Sequence, residues 1–400
     1  MKVLHTADWH LRDKDIEECA NVTGFMVAQA DIEAINLSVI AGDIFDQQDI
    51  KAGSASALLA VRTVSALADI APVVIVRGTP SHDGNAPGLL AHVRGDYPII
   101  VADRPMQVYL LMGRYRPDVL VDVLVGDRKP DAIITLIPQP TKQFFQTTAG
   151  IAESDQEIGQ AMSGLFAGFG AAAAEYPGRP HVLVYHGCVS GGKASNSQVM
   201  TGRDIEVSRD QMAMTGAHLV LCGHLHLPQE LPGKIFYSGS IYANNIGEDH
   251  KHGFYVHEIG AEVVSRFVPT PCRRLIRITR DHTTGSEPII ADGVEGAHVR
   301  VDLTVFQDEA EKINKDEIKR NLMEDFGALS VDVRINRVPR ENIRADAVLK
   351  AETLREKIVA MSALRNEAVN DSILAKAETL ENVPADELLR KLNSIGGAIL

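Results

Sequence analysis

Cysteine and tryptophan are scarce in this chain of 400 residues, which has four cysteines and one tryptophan. The cysteines form no Cys-x-x-Cys pair and have no compact spacing, so the sequence does not indicate a disulfide framework. They fit small buried thiols in a reducing compartment, and we expect a cytoplasmic protein. Their positions are Cys19, Cys188, Cys222 and Cys272.

Long apolar runs are also missing. No stretch approaches the roughly 18 consecutive apolar residues that a membrane-spanning helix needs. At the N-terminus, the apolar segment before His5 and Thr6 is too short for the core of a signal peptide. We therefore expect a soluble protein without a membrane partner.

Positive charge is in deficit, with 40 Lys and Arg against 53 Asp and Glu and a net charge of −13. This balance argues against a generally adhesive nucleic-acid binder, although it leaves room for local basic patches. One such patch is Arg266, Arg273, Arg274, Arg277 and Arg280, with no acidic residue until Asp281. Two interpretations are open for it, a solvated strand face and a surface that contacts phosphate.

The hydrophobic share of 45% is enough for a sizeable core. A chain of this length suggests two or three domains, because single cores rarely exceed about 250–300 residues. Strands alternate with helical stretches over 1–268, which predicts a layered α/β domain with helices over a central sheet. A β-α-β pattern predicts a small α+β domain over 269–340, and 341–400 reads as a helical tail.

Five apolar runs in the first domain end in a residue that can bind metal or in a histidine. Such runs read as buried strands, and ligands of open α/β sheets bind beyond the carboxyl ends of their strands. Each piece alone is a weak signal, but the repetition is specific and predicts a site with two metal ions. The side chains at these ends are Asp8, His10, Asp43, Asp46, His82, Asp83, His186, His224 and His226.

Histidine and carboxylate ligands together favour Mn, Fe or Zn over an oxygen-only Mg site. Two divalent cations held close together clamp a phosphate and activate water for its hydrolysis. Asp43 is the natural bridging ligand, because the two oxygens of a carboxylate point to different partners. The pattern therefore predicts phosphoester hydrolysis.

The motifs resemble those of the calcineurin-like metallophosphoesterases, which read D-x-H, G-D-x-x-D, G-N-H-D, a later His, and G-H-x-H. The resemblance is closer to their DNA-repair branch, the nuclease subunit of bacterial or phage SbcCD-type complexes. It covers about 1–340 and is densest at the motifs. The segments that carry it are His5–Leu11, Gly42–Asp46, Cys222–His226, Tyr237–Ser240, and Glu248 with Lys251–Gly253.

This resemblance implies a role for each motif residue. The first metal would be held by Asp8, His10 and His226. The second would be held by His186 and His224, with Asp43 bridging the two. The resemblance implies that His82 contacts the scissile phosphate or protonates the leaving group, that Asp83 orients His82 through its ring nitrogen, and that Asp46 closes the turn.

One segment departs from the family pattern. Where the family has Gly-Asn-His-Asp, this chain has Gly78-Thr79-Pro80-Ser81-His82-Asp83. Ser81 stands where the Asn that ligates the second metal is expected, after two additional residues. We therefore predict Ser81 as a weaker ligand of the second metal, with Asn85 as its rival.

The resemblance implies a DNA nuclease that uses two Mn²⁺, with Mg²⁺, Fe²⁺ or Zn²⁺ as other candidates. It implies 3′-to-5′ exonuclease and endonuclease action in double-strand-break repair or recombination. It also implies a homodimer that works with an SbcC-type, SMC-like ATPase docked on the helical tail, and a capping domain in which Arg273, Arg274 and Arg277 contact DNA. Two alternatives stay open: a phosphatase or phosphodiesterase for small substrates, and a catalytically weak scaffold subunit.

Overall fold

A computed structural model describes residues 1–112, 119–121, 128–142, 144–145, 155–196, 198, 204–248, 250–285, 293–339, 348, 350–365, 367–384 and 387–388. The chain divides into two compact units. The first consists of Met1–Ile278, Ile290–Val301 and Asp316–Val333, and the second of Thr279–Ile289, Asp302–Lys315 and Arg334–Leu400. The domain boundaries predicted at 268 and 340 stay a prediction.

The first unit contains a six-stranded sheet with the order β15-β14-β1-β2-β3-β4. Strands β1 to β4 are parallel, and β14 and β15 continue the sheet in antiparallel pairing. The strands are β1 (Lys2–Thr6), β2 (Leu37–Ile40), β3 (Val73–Val76), β4 (Ile99–Ala102), β14 (Gly253–Ile259) and β15 (Val263–Pro269).

A second sheet has seven strands in the order β12-β13-β11-β8-β7-β5-β6. Its central strands β7, β8, β11 and β13 are parallel to one another, and β5 and β12 pair with them in antiparallel direction. The strands are β5 (Met106–Leu111), β6 (Val119–Val121), β7 (Ala132–Ile137), β8 (His181–His186), β11 (Leu219–Gly223), β12 (Gln229–Leu231) and β13 (Ile235–Tyr237). A separate pair consists of β9 (Cys188–Val189) and β10 (Glu206–Val207).

These two sheets correct part of the sequence prediction. The alternation of apolar runs predicts a single central sheet, and it predicts Lys234–Gly239 as an antiparallel strand that completes this sheet. Instead, β13 runs parallel to β11 and belongs to the second sheet. Strand direction depends on the partner strand, which local sequence periodicity does not encode.

The two sheets pack face to face around a shared core. Side chains from both sheets form one buried cluster, including Val39 and Val74 from the first sheet and Ile134, Val184 and Leu221 from the second. Because alternate side chains of a strand point to opposite faces, each sheet also has apolar side chains on its outer face, which a further layer of structure must bury. The unit is therefore a layered α/β structure with multiple sheets, which confirms the predicted fold class.

Helices provide that cover. Residues of α1 (Ile16–Ile32) and α2 (Ala55–Ala68) pack on the first sheet, and residues of α3 (Asp155–Ala174) and α4 (Arg209–Ala213) pack on the second. Caps define two of the helix starts. The Ser54 hydroxyl accepts the Ala57 N–H at 3.2 Å, and Ser208 forms a capping box with Gln211. Short 3₁₀ helices occupy Asp13–Asp15, Ala86–His92 and Ala310–Lys312.

The β-α-β pattern predicted for the smaller region is confirmed. Strand β17 (Ala297–Phe306), α5 (Lys315–Glu324) and β18 (Ser330–Val338) follow one another, and β16 (Arg274–Asp281) completes a three-stranded sheet in the order β16-β17-β18. Buried and half-buried residues alternate along β17, as expected for a sheet with one covered face.

In the second unit, two helices follow, α6 (Leu354–Arg365) and α7 (Asp371–Asn382). They contact each other through Arg355 Nη1 and Glu378 Oε1, 2.8 Å apart. The proline at 384 predicts the start of a last short helix through 392, and this stretch lies largely outside the described residues. Among the described helices, none has the length and apolar character that crossing a bilayer requires.

Candidate metal centre

The carboxyl ends of four strands meet at one edge of the sheet pair. Asp8 follows β1, Asp43 follows β2, His186 ends β8, and His224 follows β11. The backbone N–H of Asp8 donates to the Gly42 carbonyl at 3.0 Å, and the N–H of His224 donates to Asp8 Oδ1 at 2.9 Å. The second contact joins the two sheets, so candidate ligands from both sheets come together.

Asp8, His10 and His226 form a first group, whose ligand atoms all lie within 4.8 Å of one another. The Nε2 atoms of His10 and His226 are 3.0 Å apart, and all three residues are buried. Two imidazole nitrogens and a carboxylate that converge in this way suit a divalent transition metal.

Asp43, His186 and His224 form a second group of the same kind. His186 Nε2 lies 3.4 Å from Asp43 Oδ2. His10 of the first group contributes to the electrostatic environment of Asp43. This proximity is compatible with a bridging Asp43, and the bridge stays a prediction.

Thr79 places a hydroxyl beside the second group, and the predicted ligand role of Ser81 stays a prediction. Thr79 Oγ1 lies 3.0 Å from Asp43 Oδ2, 3.3 Å from His186 Nε2 and 3.4 Å from His224 Nδ1. Ser81 is exposed and lines the cavity that opens at the two ligand groups. Asn85 is exposed just before the 3₁₀ helix Ala86–His92. The segment of Thr79 and Pro80 folds into a turn, in which the His82 N–H donates to the Thr79 carbonyl at 2.9 Å, and this turn brings the Thr79 hydroxyl next to the second group.

The hydrogen bonds of Asp83 go to backbone groups, and its predicted role of orienting His82 stays a prediction. Its buried carboxylate accepts backbone N–H groups from Gly78, Asp43, Ile44 and Phe45 at 2.8–3.1 Å. Burial and the Asp43 charge raise the pKa of Asp83 to about 7, while the N–H donors of Gly78 and Phe45 act in the opposite direction. Asp83 therefore organises the loop that carries Asp43.

His82 is oriented by a backbone carbonyl. Its Nδ1 is 3.1 Å from the carbonyl oxygen of Asp46, and its ring packs edge-on against His10 with centroids 4.7 Å apart. The Asp46 contact assigns the ring hydrogen to Nδ1, which leaves Nε2 free to exchange a proton. His82 is half-buried at the cavity wall and is absent from both ligand groups.

Backbone conformation at the site is unusual. Asp8, His10, Asp43 and His224 have φ values of 52°, 42°, 51° and 99°, a region that residues other than glycine rarely adopt. Close packing also requires Gly78, because a Cβ there would lie 2.2 Å from Asp43 Oδ1. The loops therefore place ligands at a conformational cost that the surrounding hydrogen bonds must offset.

The second group behaves as a buried ion pair. Burial favours the neutral forms of both Asp43 and His186, but their mutual attraction outweighs it. The pKa of Asp43 is lowered, and that of His186 is raised to about 9. In the first group, burial raises the pKa of Asp8, and burial with the nearby His226 lowers the pKa of His10. A cation at the second group would displace a proton from His186.

Acceptors stand behind the histidines, on the side away from the ligand groups. His186 Nδ1 is 2.6 Å from the Ala41 carbonyl, and His226 Nδ1 is 3.1 Å from Glu248 Oε1. Burial raises the pKa of Glu248, but His226 outweighs it and lowers this pKa to about 2. Such acceptors fix which nitrogen faces a metal.

Sequence reasoning missed three polar residues near the ligand groups, namely Thr79, Asp204 and Cys188. Cys188, Asp204 and His224 form a third group with ligand atoms within 4.8 Å. Asp204 precedes the short strand β10 and matches no motif, so local sequence offers no signal for it. Thr79 lies beside the recognised motif and could have been weighed as a ligand.

A cavity of about 400 Å³ opens at the two ligand groups. Arg12, Gln198 and Asn244 line it together with His82 and four of the candidate ligands, His10, Asp43, His224 and His226. The donor set fits two divalent cations, because each group combines imidazole nitrogens with a carboxylate.

The predicted DNA-contacting arginines lie elsewhere. Arg273 and Arg274 line a different cavity of about 330 Å³, which shares Glu248 with the surroundings of the first group. Arg273 Nη2 is 2.6 Å from Asp15 Oδ1, and Arg274 donates to the carbonyls of Gly293 and Glu295. Arg277 packs near Gly247. Their DNA contact stays a prediction.

Comparisons with known proteins add little to this description. No protein-family model matches the sequence, and no curated protein matches it either. One similar solved structure is described as GAP50, the anchor in the inner membrane complex of Plasmodium, with 14% identity, a TM-score of 0.42, and coverage of 68% of this chain and 85% of that one. Another is a dimetal phosphatase from Danio rerio, with 12% identity, a TM-score of 0.38, and coverage of 67% and 96%.

Proposed function

We propose that the protein is a two-metal phosphodiesterase and that DNA is its substrate. The observation that carries the proposal is the convergence of two histidine–carboxylate groups on one cavity. Asp8, His10 and His226 would hold one cation, and Asp43, His186 and His224 the other, with Thr79 beside it. Bound cations would polarise the phosphate and activate water.

The protein's own residues would position the substrate and move protons. His82 Nε2 is free at the cavity wall because Nδ1 bonds the Asp46 carbonyl. After taking up a proton at Nε2, the doubly protonated ring would donate that proton to the departing oxygen of the phosphodiester. Arg12 presents a guanidinium at the same wall, held by Asp15 at 2.6 Å, and would attract the phosphate.

The choice of DNA rests on the motif resemblance to SbcD-type nucleases. On that basis we propose Mn²⁺ as the preferred metal and 3′-to-5′ exonuclease with endonuclease activity in double-strand-break repair or recombination. A small-substrate phosphatase or phosphodiesterase is the second candidate. It is favoured by the net charge of −13 and by the ion pair of Arg273 with Asp15, which reduces the positive charge available for DNA.

A substrate panel tests the proposal with purified, metal-stripped, full-length protein. Linear duplex DNA, single-stranded DNA, bis(p-nitrophenyl) phosphate and p-nitrophenyl phosphate would each be titrated with Mn²⁺, Mg²⁺ and Zn²⁺. We expect cleavage of both DNA forms and of the diester with Mn²⁺. Cleavage of the monoester alone would support the phosphatase, and metal uptake without any hydrolysis would support a scaffold.

Asp43→Asn provides the matched variant for this panel. Because the change removes the predicted bridging charge, it should abolish hydrolysis and lower metal content by at least one equivalent. The exposed Asp69, which accepts the Asp96 N–H at 3.2 Å, offers Asp69→Asn as the control. Wild-type turnover in Asp43→Asn would contradict the two-metal proposal.

Partners complete the proposal. We propose that α6 and α7 dock an SMC-like ATPase and that the nuclease acts as a homodimer. Large apolar side chains on these helices are exposed, among them Val359, Ile373 and Leu380. A chain that ends at Arg344 should retain Mn²⁺-dependent cleavage of short DNA and lose ATPase capture. Undiminished capture would place the docking surface elsewhere, and sedimentation of the full chain would test the dimer.

A further inference from the structure

The outer nitrogen of His224 lacks a hydrogen-bond partner although it is buried. His224 Nδ1 faces the second group, 3.4 Å from Thr79 Oγ1, so Nε2 points away from that group. Nε2 has no solvent exposure and no hydrogen bond. A buried N–H donor without an acceptor loses its hydration with no compensating bond, so a partner for Nε2 is expected nearby.

The carboxylate of Asp204 is placed to accept a hydrogen bond from Nε2 of His224. Its Oδ2 lies 3.6 Å from His224 Nε2, slightly beyond hydrogen-bond length. Its other oxygen, Oδ1, accepts from Gln139 Nε2 at 3.4 Å, which directs Oδ2 toward the histidine. A small side-chain movement would complete the bond.

The first ligand group provides a parallel within the same molecule. There, Glu248 Oε1 lies 3.1 Å from Nδ1 of His226, whose Nε2 faces His10. Each histidine of the Gly-His-Leu-His segment thus has one nitrogen toward a ligand group and a carboxylate near the other nitrogen. The two histidines use opposite ring nitrogens, and Glu248 and Asp204 lie on the corresponding outer sides.

We propose that Asp204 is the positioning residue of the second cation. By accepting the Nε2 hydrogen of His224, it keeps the lone pair on Nδ1, aligns the ring toward Asp43 and His186, and increases the basicity of the ligand. This inference rests on the proposed two-metal function and assigns to Asp204 a part in metal affinity rather than in proton transfer.

Cys188 offers a competing explanation for the same cluster. A third cation could sit among Cys188, Asp204 and His224, whose ligand atoms lie within 4.8 Å. That arrangement would require Nε2 of His224 to lose its hydrogen while Nδ1 binds the second cation, leaving an imidazolate that bridges two ions. The hydrogen bond to Asp204 needs no such deprotonation, and we therefore favour it.

The decisive experiment measures Zn²⁺ binding to each histidine separately, by long-range ¹H–¹⁵N spectra of the full-length protein. The signals are assigned with His224→Gln and His226→Gln. In Asp204→Ala, binding reported by His224 should weaken about 10–100-fold, the range for loss of a ligand's supporting group, while binding reported by His226 is unchanged. Asp204→Asn retains an acceptor oxygen and should recover part of the affinity.

Glu248→Gln is the matched variant and should weaken binding at His226 instead. A hydrogen-bonded Nε2–H proton of His224 should be visible in zinc-loaded wild-type protein and lost in Asp204→Ala. Thermal unfolding of each variant distinguishes misfolding from a local effect on metal binding. If Asp204→Ala does not fold, the comparison of Asp204→Asn with the wild type decides the result.

Unchanged His224 affinity in folded Asp204→Ala would overturn the assignment. The assignment would also be overturned if the wild-type protein bound a third equivalent of zinc and its cobalt-loaded form showed a thiolate charge-transfer band that Cys188→Ser removes. Wild-type protein that binds no cation would instead refute the proposed function, which distinguishes that failure from a failure of the Asp204 inference alone.

Discussion

The carboxylate of Asp83 accepts the backbone N–H of Asp43 at 3.0 Å, whereas the neighbouring His82 bonds the carbonyl of Asp46. Although Asp83 and His82 are adjacent in one motif, they therefore have different structural roles. Asp83 supports the loop that delivers the central carboxylate of the site, and His82 is left free to face the cavity. This separation predicts different consequences for their mutation.

Asp83→Asn should destabilise the fold and the metal site together. In the wild type, backbone N–H groups donate to both oxygens of the Asp83 carboxylate. In the variant, the amide nitrogen would place its own N–H donors against some of these N–H groups. We expect the free energy of unfolding to fall by about 3 kcal/mol, since hydrogen bonds to charged groups contribute about 1.5–3 kcal/mol each. Urea denaturation with Asp69→Asn as the exposed control measures this, and an unchanged midpoint would contradict the role.

His82→Ala should lower turnover about 10²–10⁴-fold, the usual contribution of one positioned acid or base. Metal content should stay at the wild-type level, because His82 belongs to neither ligand group. Initial rates with bis(p-nitrophenyl) phosphate and elemental analysis of the same samples give the two measurements. Loss of a bound ion in this variant would make His82 a ligand.

Thr79→Val should lower the affinity for the second cation, whereas Ser81→Ala should leave the affinities for both cations unchanged. The valine matches threonine in shape but removes the hydroxyl that lies 3.0 Å from Asp43 Oδ2. Stepwise Mn²⁺ titrations of the two variants and the wild type provide the comparison. If Ser81→Ala alone weakened binding, the original sequence prediction would hold and the Thr79 assignment would fail.

Metal-free protein should lose stability as the pH falls from about 6.5 toward 3. Burial lowers the pKa of His5 to about 3, and burial together with the nearby His5 lowers the pKa of His257 well below its usual range. The unfolded chain therefore binds more protons in this window, so the contribution is complete above the unfolded pKa and is lost on acidification.

Each histidine can contribute up to about 1.4 kcal/mol per pH unit. Chelator-treated protein, unfolded in urea at several pH values, should show this dependence, and His257→Gln should reduce its slope. The exposed His92 provides His92→Gln as the control. Equal slopes in all three proteins would show that the buried pair does not titrate between the folded and unfolded states.

The sequence by itself determined where the strands lie and which residue types stand at their ends. Runs such as Leu37–Ile40 and His181–His186 are short, apolar and β-branched, and such patterns are local properties of the chain. The parallel arrangement then implied that Asp43 and His186 approach the same edge. The fold class followed from this local information, whereas the division of the candidate ligands between two metals came from the motif resemblance.

The tertiary structure alone decided three other features. It separated the strands into two facing sheets, placed Thr79 rather than Ser81 at the second group, and brought Asp204 near His224 from an unrelated part of the chain. These outcomes depend on strand partners, loop conformation and close approach of distant segments. They arise from packing and from satisfying buried hydrogen-bonding groups, which are properties of the whole fold rather than of any sequence window.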